Sequence, residues 1–237
     1  MIRDFYTTVF KQLILQQSFI IALTNKRYAF NKLLQLIVIT SLAAFSISAN
    51  AKTTKIVMYG DSISAGYGMQ LHQSWPYLLN EEFKNDNIDI QFINESISGE
   101  TTGGGLSRLD EVLKRQALTK GDWLVIELGG NDGLRGFPVK TIKQNLSAMI
   151  EKTEFKGVNV ALMQIQIPPN YGKRYTQMFS NIYPQLAKEY DVPLLPFFME
   201  KIAINPDYML NDNLHPNISA QVVIRDIMKP LILNLAD

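Results

Sequence analysis

Short apolar runs that end in small or polar residues alternate with stretches of helical periodicity from residue 55 almost to the end of the chain. The runs over 55–58, 88–93, 123–128, 158–164 and 192–196 predict buried strands. The stretches over 75–84, 106–117, 139–153, 174–190 and 219–235 predict helices, the fourth of which continues through Pro184. Buried strands that alternate with helices form parallel sheets covered on both faces. We therefore predict an α/β fold, a three-layer α/β/α sandwich around a parallel sheet of about five strands.

A basic and then apolar segment precedes this pattern. Basic side chains over 26–32 come before an apolar stretch over 33–47, which ends in small residues. This is the pattern of a secretory signal peptide, so we predict a leader over 1–51 that is cleaved after Ala51, and a single domain over 52–237. The mature protein is then expected to be periplasmic or secreted, without a membrane span. The alternative is an uncleaved leader that anchors the chain, although about 20 apolar residues are usual for a span.

The composition argues against several classes of function. Of the 23 basic and 22 acidic side chains, five and one lie in residues 1–51, so residues 52–237 carry a net charge of −3. A mildly acidic domain without a basic stripe argues against a nucleic-acid partner. The chain has no cysteine, which excludes thiolate catalysis and disulfides, and its only histidines are His72 and His215. We therefore expect no metal site, and chemistry that needs a histidine has two candidates.

The first predicted strand leads into Gly60-Asp61-Ser62. Ligands of open parallel sheets bind beyond the carboxyl ends of the strands, and a serine there, among small residues, is placed to act as a nucleophile. We predict that Ser62 attacks an acyl carbonyl. Asp61 is interpreted as a turn or helix-cap acceptor rather than as a catalytic acid.

Three further polar segments are expected at the same edge of the sheet. Gly99 follows the second predicted strand and can offer a backbone N–H at close approach, while Asn131 carries an amide donor in the glycine-rich turn after the third. Asp212 precedes His215 by three residues, so one turn can aim the carboxylate at Nδ1 and leave Nε2 facing the serine. His72 has no acidic neighbour and is interpreted as a surface residue.

Taken together, these segments resemble the sequence blocks of the SGNH hydrolases, the family of GDS-type lipases and esterases. The family is named after a serine, a glycine, an asparagine and a histidine in separate blocks, which here correspond to Ser62, Gly99, Asn131 and His215. Longer stretches are similar to one branch, the exported bacterial acyl-CoA thioesterases and lysophospholipases. These stretches are 59–67, 125–137, 163–175 and 192–200.

The resemblance implies a flavodoxin-like sandwich and a mechanism. Ser62 is then the nucleophile, His215 the general base and Asp212 the group that orients the histidine. The resemblance also implies an oxyanion hole formed by the N–H groups of Ser62 and Gly99 and the side-chain amide of Asn131. No metal and no organic cofactor is implied.

The resemblance further implies small-molecule substrates, namely acyl thioesters, lysophospholipids and simple carboxylic esters, and we expect a monomer. Apolar side chains near the predicted strand ends are candidates to line an acyl groove, and the loop over 133–138 is a candidate to close over it. Completion of the hydrophobic core is the alternative role for each of these side chains. The candidates are Leu134, Phe137, Pro138, Ile167 and Pro168.

Two other functions compete with the esterase hypothesis. A polysaccharide O-deacetylase is compatible with the same family, but few aromatic platforms for sugar stacking are evident in the sequence. An exported, non-catalytic acyl- or lipid-binding protein is compatible with the same fold. A binder, however, needs neither Asp212 nor His215 at their spacing.

Overall fold

A single five-stranded parallel sheet forms the centre of the domain. The computed structural model describes Lys32 and residues 53–236, and the strand order within the latter range is β2-β1-β3-β4-β5. Met58, near the end of β1, pairs with Asn94 of β2 on one side and with Val125 of β3 on the other. The predicted parallel sheet is confirmed. The strands are β1 (Thr54–Gly60), β2 (Ile90–Asn94), β3 (Trp123–Glu127), β4 (Asn159–Met163) and β5 (Leu194–Leu195).

Nine α-helices connect or follow these strands within residues 53–236. The longer ones are α2 (Trp75–Asn85), α3 (Thr102–Arg115), α5 (Val139–Phe155), α6 (Lys173–Ser180), α7 (Ile182–Tyr190) and α9 (Ile218–Ala236). Three short ones, which have no apolar periodicity from which to predict them, are α1 (Ser62–Ala65), α4 (Gly130–Leu134) and α8 (Met199–Ile202). Single 3₁₀ turns occur at Leu71–Gln73, Pro169–Tyr171 and Pro206–Tyr208.

The strand order accounts for the three layers. The crossover from β1 to β2 runs in one direction along the sheet, and the later crossovers run in the other. Because crossovers between parallel strands are right-handed, the change of direction places helices on both faces. Helix α2 packs against β2 and α9, whereas α5 packs against α3 and α7. Between the layers, residues 56–59 of β1 are completely buried.

The prediction of one continuous helix over 174–190 is wrong. The chain forms α6 and α7, which are separated at Asn181. Pro184 has no N–H to donate to the Ser180 carbonyl, and its ring crowds that carbonyl, so a helix cannot continue through this position undisturbed. Instead, the side-chain amide of Gln164 donates to the Ser180 carbonyl, at 3.1 Å.

Other boundaries shift by a few residues. Helix α3 begins four residues before its predicted start because the Thr101 side chain accepts a hydrogen bond from the Gly104 N–H and caps the helix. The last strand is reduced to the pair Leu194–Leu195. Apart from Lys32, the predicted leader and its cleavage point lie outside the described residues. Among the residues that are described, none of the helices combines the length and the apolar character needed to cross a bilayer.

Candidate active site

Ser62 lies directly beyond the carboxyl end of β1, as the first residue of helix α1. Asp61 caps this helix, since its Oδ1 accepts a hydrogen bond from the Ile63 N–H at 3.1 Å. Gly66 ends the helix in a left-handed conformation, with φ of 77°. The capped turn holds Ser62 at the edge of the sheet, where the residue is largely buried, with 9% of its area exposed.

His215 lies next to Ser62, although 153 positions separate them in the sequence. The distance from His215 Nε2 to Ser62 Oγ is 2.8 Å, and that from His215 Nδ1 to Asp212 Oδ2 is 2.7 Å. The other carboxylate oxygen, Oδ1, accepts hydrogen bonds from the N–H groups of Leu214 and His215, at 2.9 and 3.0 Å. With a proton on Nδ1, Nε2 is free to accept the serine proton. His72, by contrast, is exposed on the 3₁₀ turn that follows α1.

The environment favours a charged Asp212 beside the imidazole. The backbone N–H of His215 contributes most to lowering the pKa of Asp212, which falls to about 2. The Asp212 side chain is nevertheless 40% exposed, whereas the His215 side chain is 13% exposed. The ring of Tyr67 stacks on the imidazole, with 4.2 Å between centroids and 28° between planes. Tyr67 was not predicted as a site residue, although it is the last residue of the stretch 59–67 that resembles the thioesterase branch.

Gly99 and Asn131 reach the same edge of the sheet on the segments that follow β2 and β3. Gly99 adopts φ of 80°, a left-handed conformation that strains any residue with a Cβ. Asn131 lies in the first turn of α4, and its amide donates one hydrogen bond to Asp61 Oδ2 at 3.1 Å. Because an amide nitrogen carries two hydrogens, this bond orients the Asn131 side chain and leaves the second hydrogen for another acceptor.

Ser62 and His215 open into a cavity of about 540 Å³. Three of the predicted groove residues, Leu134, Ile167 and Pro168, line it, whereas Phe137 and Pro138 lie outside its lining. The full lining is Asp61, Ser62, Ile63, Tyr67, Ser98, Gly99, Glu127, Gly130, Asn131, Leu134, Ile165, Gln166, Ile167, Pro168, Phe197, Met199, Ala203, Met209, Asn213, Leu214 and His215. Phe137 is instead held by its backbone, since its carbonyl accepts a hydrogen bond from the Tyr175 hydroxyl at 2.7 Å.

A buried acid, Glu127, lies beneath the Ser62 turn at the end of β3. Its side chain accepts a hydrogen bond from Ser64 Oγ at 2.6 Å and another from the Asp61 N–H. A Cβ at residue 60 would overlap Glu127 Oε2, so Gly60 allows the carboxyl group to pass this close. Burial raises the pKa of Glu127 well above its ordinary value, and the Asp61 carboxylate acts in the same direction. Burial also raises the pKa of Asp61, to about 6. The only signal of Glu127 in the sequence is that it is a charged residue within an apolar run.

Replacing Glu127 by glutamine is expected to change how stability depends on pH. The unfolded chain loses the Glu127 proton above about pH 4.5, whereas the folded protein retains it, so stability falls as the pH rises through this window. The glutamine side chain cannot ionise, so the free energy of unfolding of the variant is expected to fall less steeply with pH. The difference between the two slopes is expected to reach up to about 1.4 kcal/mol per pH unit. Urea denaturation between about pH 5 and pH 8 measures the difference.

Glu154→Gln, which replaces an exposed glutamate on α5, is the control and is expected to follow the wild type. Asp61 is present in all three proteins, but its carboxylate interacts with Glu127, so the difference between the wild type and Glu127→Gln reports the titration of this pair. Parallel stability curves for the wild type and Glu127→Gln would contradict a raised Glu127 pKa.

The hydroxyl, imidazole and carboxylate groups form one hydrogen-bonded series at the carboxyl edge of a parallel sheet, which is the arrangement used by serine hydrolases. Residues 58–221 match the GDSL-like Lipase/Acylhydrolase family. The chain belongs to this family, which confirms the resemblance predicted from the sequence.

Named relatives cover most of the chain. An arylesterase of Vibrio mimicus is 46% identical over 197 residues, which span 83% of this chain and 95% of the relative. The thioesterase 1/protease 1/lysophospholipase L1 of Escherichia coli K12 is 44% identical over 187 residues, or 79% of this chain and 86% of the relative. Among solved structures, the psychrotrophic esterase EstA from Pseudoalteromonas sp., inhibited by monoethylphosphonate, is 46% identical with a TM-score of 0.74, and covers 76% of this chain and 97% of its own.

Proposed function

We propose that the chain is an exported serine esterase that hydrolyses acyl esters and thioesters through an acyl-serine intermediate. The observation that carries this proposal is the unbroken series of hydrogen bonds from Asp212 through His215 to Ser62 beside an apolar cavity. A non-catalytic binding protein would have no use for this series. The names of the two sequence relatives, an arylesterase and a thioesterase/lysophospholipase, support the same class of reaction.

The first step is attack by the Ser62 hydroxyl. As Oγ bonds to the substrate carbonyl carbon, its proton passes to His215 Nε2 over the 2.8 Å hydrogen bond. The resulting imidazolium is stabilised by Asp212, whose low pKa keeps it charged. The stacked Tyr67 ring presents its electron-rich face to the same cation.

Negative charge develops on the carbonyl oxygen during this attack. We assign its stabilisation to the N–H groups of Ser62 and Gly99 and to the amide of Asn131. Ser62 is the first residue of α1, where an N–H has no partner within the helix. Asn131 is oriented in advance by Asp61, so no free energy is spent on turning the amide towards the oxyanion during the reaction.

The intermediate then collapses to the acyl-serine. The bond to the leaving oxygen or sulfur breaks, and that atom takes the proton from His215 Nε2. A water molecule next attacks the acyl carbonyl and gives one proton to Nε2. The bond between the acyl carbon and Ser62 Oγ then breaks, Oγ takes the proton back from Nε2, and the carboxylic acid leaves. Every proton transfer therefore uses only Ser62, His215, substrate and water.

The cavity favours an acyl chain as the part of the substrate that is bound. Its walls are formed largely by aliphatic, aromatic and thioether side chains from the segments that follow β3, β4 and β5, such as Leu134, Ile167 and Met199. Burying these surfaces against a hydrocarbon chain is favourable, whereas a sugar ring needs polar partners along its edges. We therefore infer acyl thioesters, lysophospholipids and simple esters as substrates, ahead of polysaccharide acetyl groups.

Export is inferred from the basic and apolar pattern within residues 1–51. Cleavage after Ala51 would release a protein that starts at Lys52, close to the start of the described domain. An intact mass that still includes residues 1–51 in the exported protein would contradict this inference.

Covalent labelling tests the nucleophile directly. A fluorophosphonate is expected to add one phosphonyl group to the wild type, on the peptide that contains Ser62, and none to Ser62→Ala. The physical reason is that only a hydroxyl bonded to a histidine is activated to displace the fluoride. Mass spectrometry of the intact protein and of its peptides measures the addition.

Ser98→Ala provides the control, because Ser98 also lines the cavity but lies outside the series of hydrogen bonds. It is expected to retain the label. A label on Ser98, or a full label on Ser62→Ala, would refute Ser62 as the nucleophile. An unlabelled wild type that also fails to hydrolyse p-nitrophenyl esters would favour the binding protein.

A further inference from the structure

A buried aspartate links the segments that follow β2 and β3, here called the two loops, which carry Gly99 and Asn131 and run into α3 and α4. Asp132 is 1% exposed and Thr102 is completely buried. Asp132 Oδ2 accepts a hydrogen bond from the Thr102 N–H at 2.8 Å, and Oδ1 accepts one from the Thr102 hydroxyl at 2.6 Å. Both oxygens of one carboxyl group are therefore bonded to a single residue of the other loop.

The link is close in sequence to both proposed oxyanion donors. Asp132 directly follows Asn131 within α4, and Thr102 is the first residue of α3, three positions after Gly99. Asn145 of α5 donates a further hydrogen bond to the Thr102 hydroxyl, at 3.0 Å. A second link between the two loops, from Arg135 Nη2 to the Gly99 carbonyl, is longer, at 3.4 Å, and exposed.

We propose that Asp132 is a positioning residue, which sets the distance between the Gly99 N–H and the Asn131 amide through its bonds to Thr102. The proposal rests on the proposed function, because it requires that both donors bind the same oxyanion. Donors to a developing oxyanion act only when they lie within hydrogen-bond distance of its final position. Two donors on separate loops keep that geometry only if the loops are held together, and a displacement of about 1 Å can cost about 10²-fold in rate.

Asp132 has no direct part in the reaction. Its side chain is absent from the cavity lining, and its two oxygens are engaged by Thr102. Its removal is therefore expected to lower kcat while KM stays nearly constant, because an oxyanion donor acts in the transition state and not in substrate binding.

The experiment compares four variants by steady-state hydrolysis of a p-nitrophenyl ester. Asn131→Ala is expected to lose about 10²- to 10³-fold in kcat, as for the loss of one oxyanion donor. Asp132→Asn is expected to lose about 10- to 10²-fold, because its amide has a single acceptor oxygen and cannot accept from both the N–H and the hydroxyl of Thr102. In the Asn131→Ala background, however, Asp132→Asn is expected to cost about twofold at most, since a donor that is absent cannot be misplaced.

Asp122→Asn is the matched fourth variant. Asp122 is also 1% exposed and accepts hydrogen bonds from the N–H and the hydroxyl of one threonine, Thr119, at 2.7 and 3.1 Å. It precedes β3, at the opposite edge of the sheet from Asn131. We expect it to lower the melting temperature, as Asp132→Asn does, while its kcat remains within about twofold of the wild type.

Each outcome has a distinct meaning. An unchanged kcat in Asp132→Asn, or losses that add up in the double variant, would overturn the positioning role and leave the proposed function intact. An unchanged kcat in Asn131→Ala would overturn the proposed oxyanion hole itself.

If Asp132→Asn does not fold, the variants Thr102→Val and Thr102→Ser test the positioning role instead. The serine variant retains the hydroxyl and is expected to keep its kcat, whereas the valine variant is expected to lose about tenfold. Equal activities of these two variants would overturn the inference.

Discussion

Ser62→Ala is expected to lower kcat for p-nitrophenyl esters by about 10⁴- to 10⁶-fold, and adding His215→Ala to it is expected to cost almost nothing more. In the proposed mechanism, the hydroxyl and the imidazole act together in one step, over a 2.8 Å hydrogen bond. Once either is absent, the other has no partner for proton transfer. What remains is the stabilisation of water attack by the oxyanion donors, which needs neither side chain.

His72→Gln is the control for this comparison because His72 is the other histidine of the chain and is exposed. It is expected to keep its kcat within about twofold. Initial rates with and without fluorophosphonate pretreatment separate true residual activity from traces of wild-type enzyme. Full activity of Ser62→Ala, or equal losses in His72→Gln and His215→Ala, would show that the nucleophile or the base is another residue.

Asp212→Asn is expected to be more damaging than Asp212→Ala, although asparagine is closer to aspartate in shape. The N–H groups of Leu214 and His215 both bond to Asp212 Oδ1, so they would hold the amide oxygen of asparagine at that position. The amide nitrogen then faces His215 Nδ1 and donates to it. This drives the imidazole proton to Nε2, where it prevents acceptance of the Ser62 proton, and a loss of about 10⁴-fold in kcat is expected.

Asp212→Ala leaves an empty space beside His215 Nδ1, whereas Asp212→Asn places a hydrogen-bond donor there. Because the Asp212 side chain is 40% exposed, water can reach Nδ1 and accept its hydrogen bond. The Nδ1-protonated tautomer therefore remains accessible, and a loss of about 10²- to 10³-fold is expected. Measurement of kcat for both variants on the same ester tests the order. A more active asparagine variant would contradict the tautomer argument. Equal thermal stability of the two variants would confirm that the difference is chemical.

Most of the fold could be predicted because its signals are local. Buried strands appear as continuous apolar runs and helices as periodic ones, and the alternation of the two implies a parallel sheet. The break at Asn181 was missed because the periodicity of residues 174–190 outweighed Pro184 in the prediction. The hydrogen bond that is lost at a proline is also a local effect. Whether the helix breaks there depends on another donor, here Gln164, being able to bond to the Ser180 carbonyl.

The sequence alone predicts that Ser62, Gly99, Asn131, Asp212 and His215 meet at one edge of the sheet, because three of their segments follow strands and parallel strands end at one edge. The tertiary structure decided which other groups surround them. Glu127 becomes a buried acid only because Gly60 lies against it, and Asp132 becomes a link only because α3 starts beside α4. The cavity excludes Phe137 and Pro138 but includes Phe197 and Met209. Local patterns define the elements of a chain, whereas burial and hydrogen bonds between distant residues arise only when those elements pack.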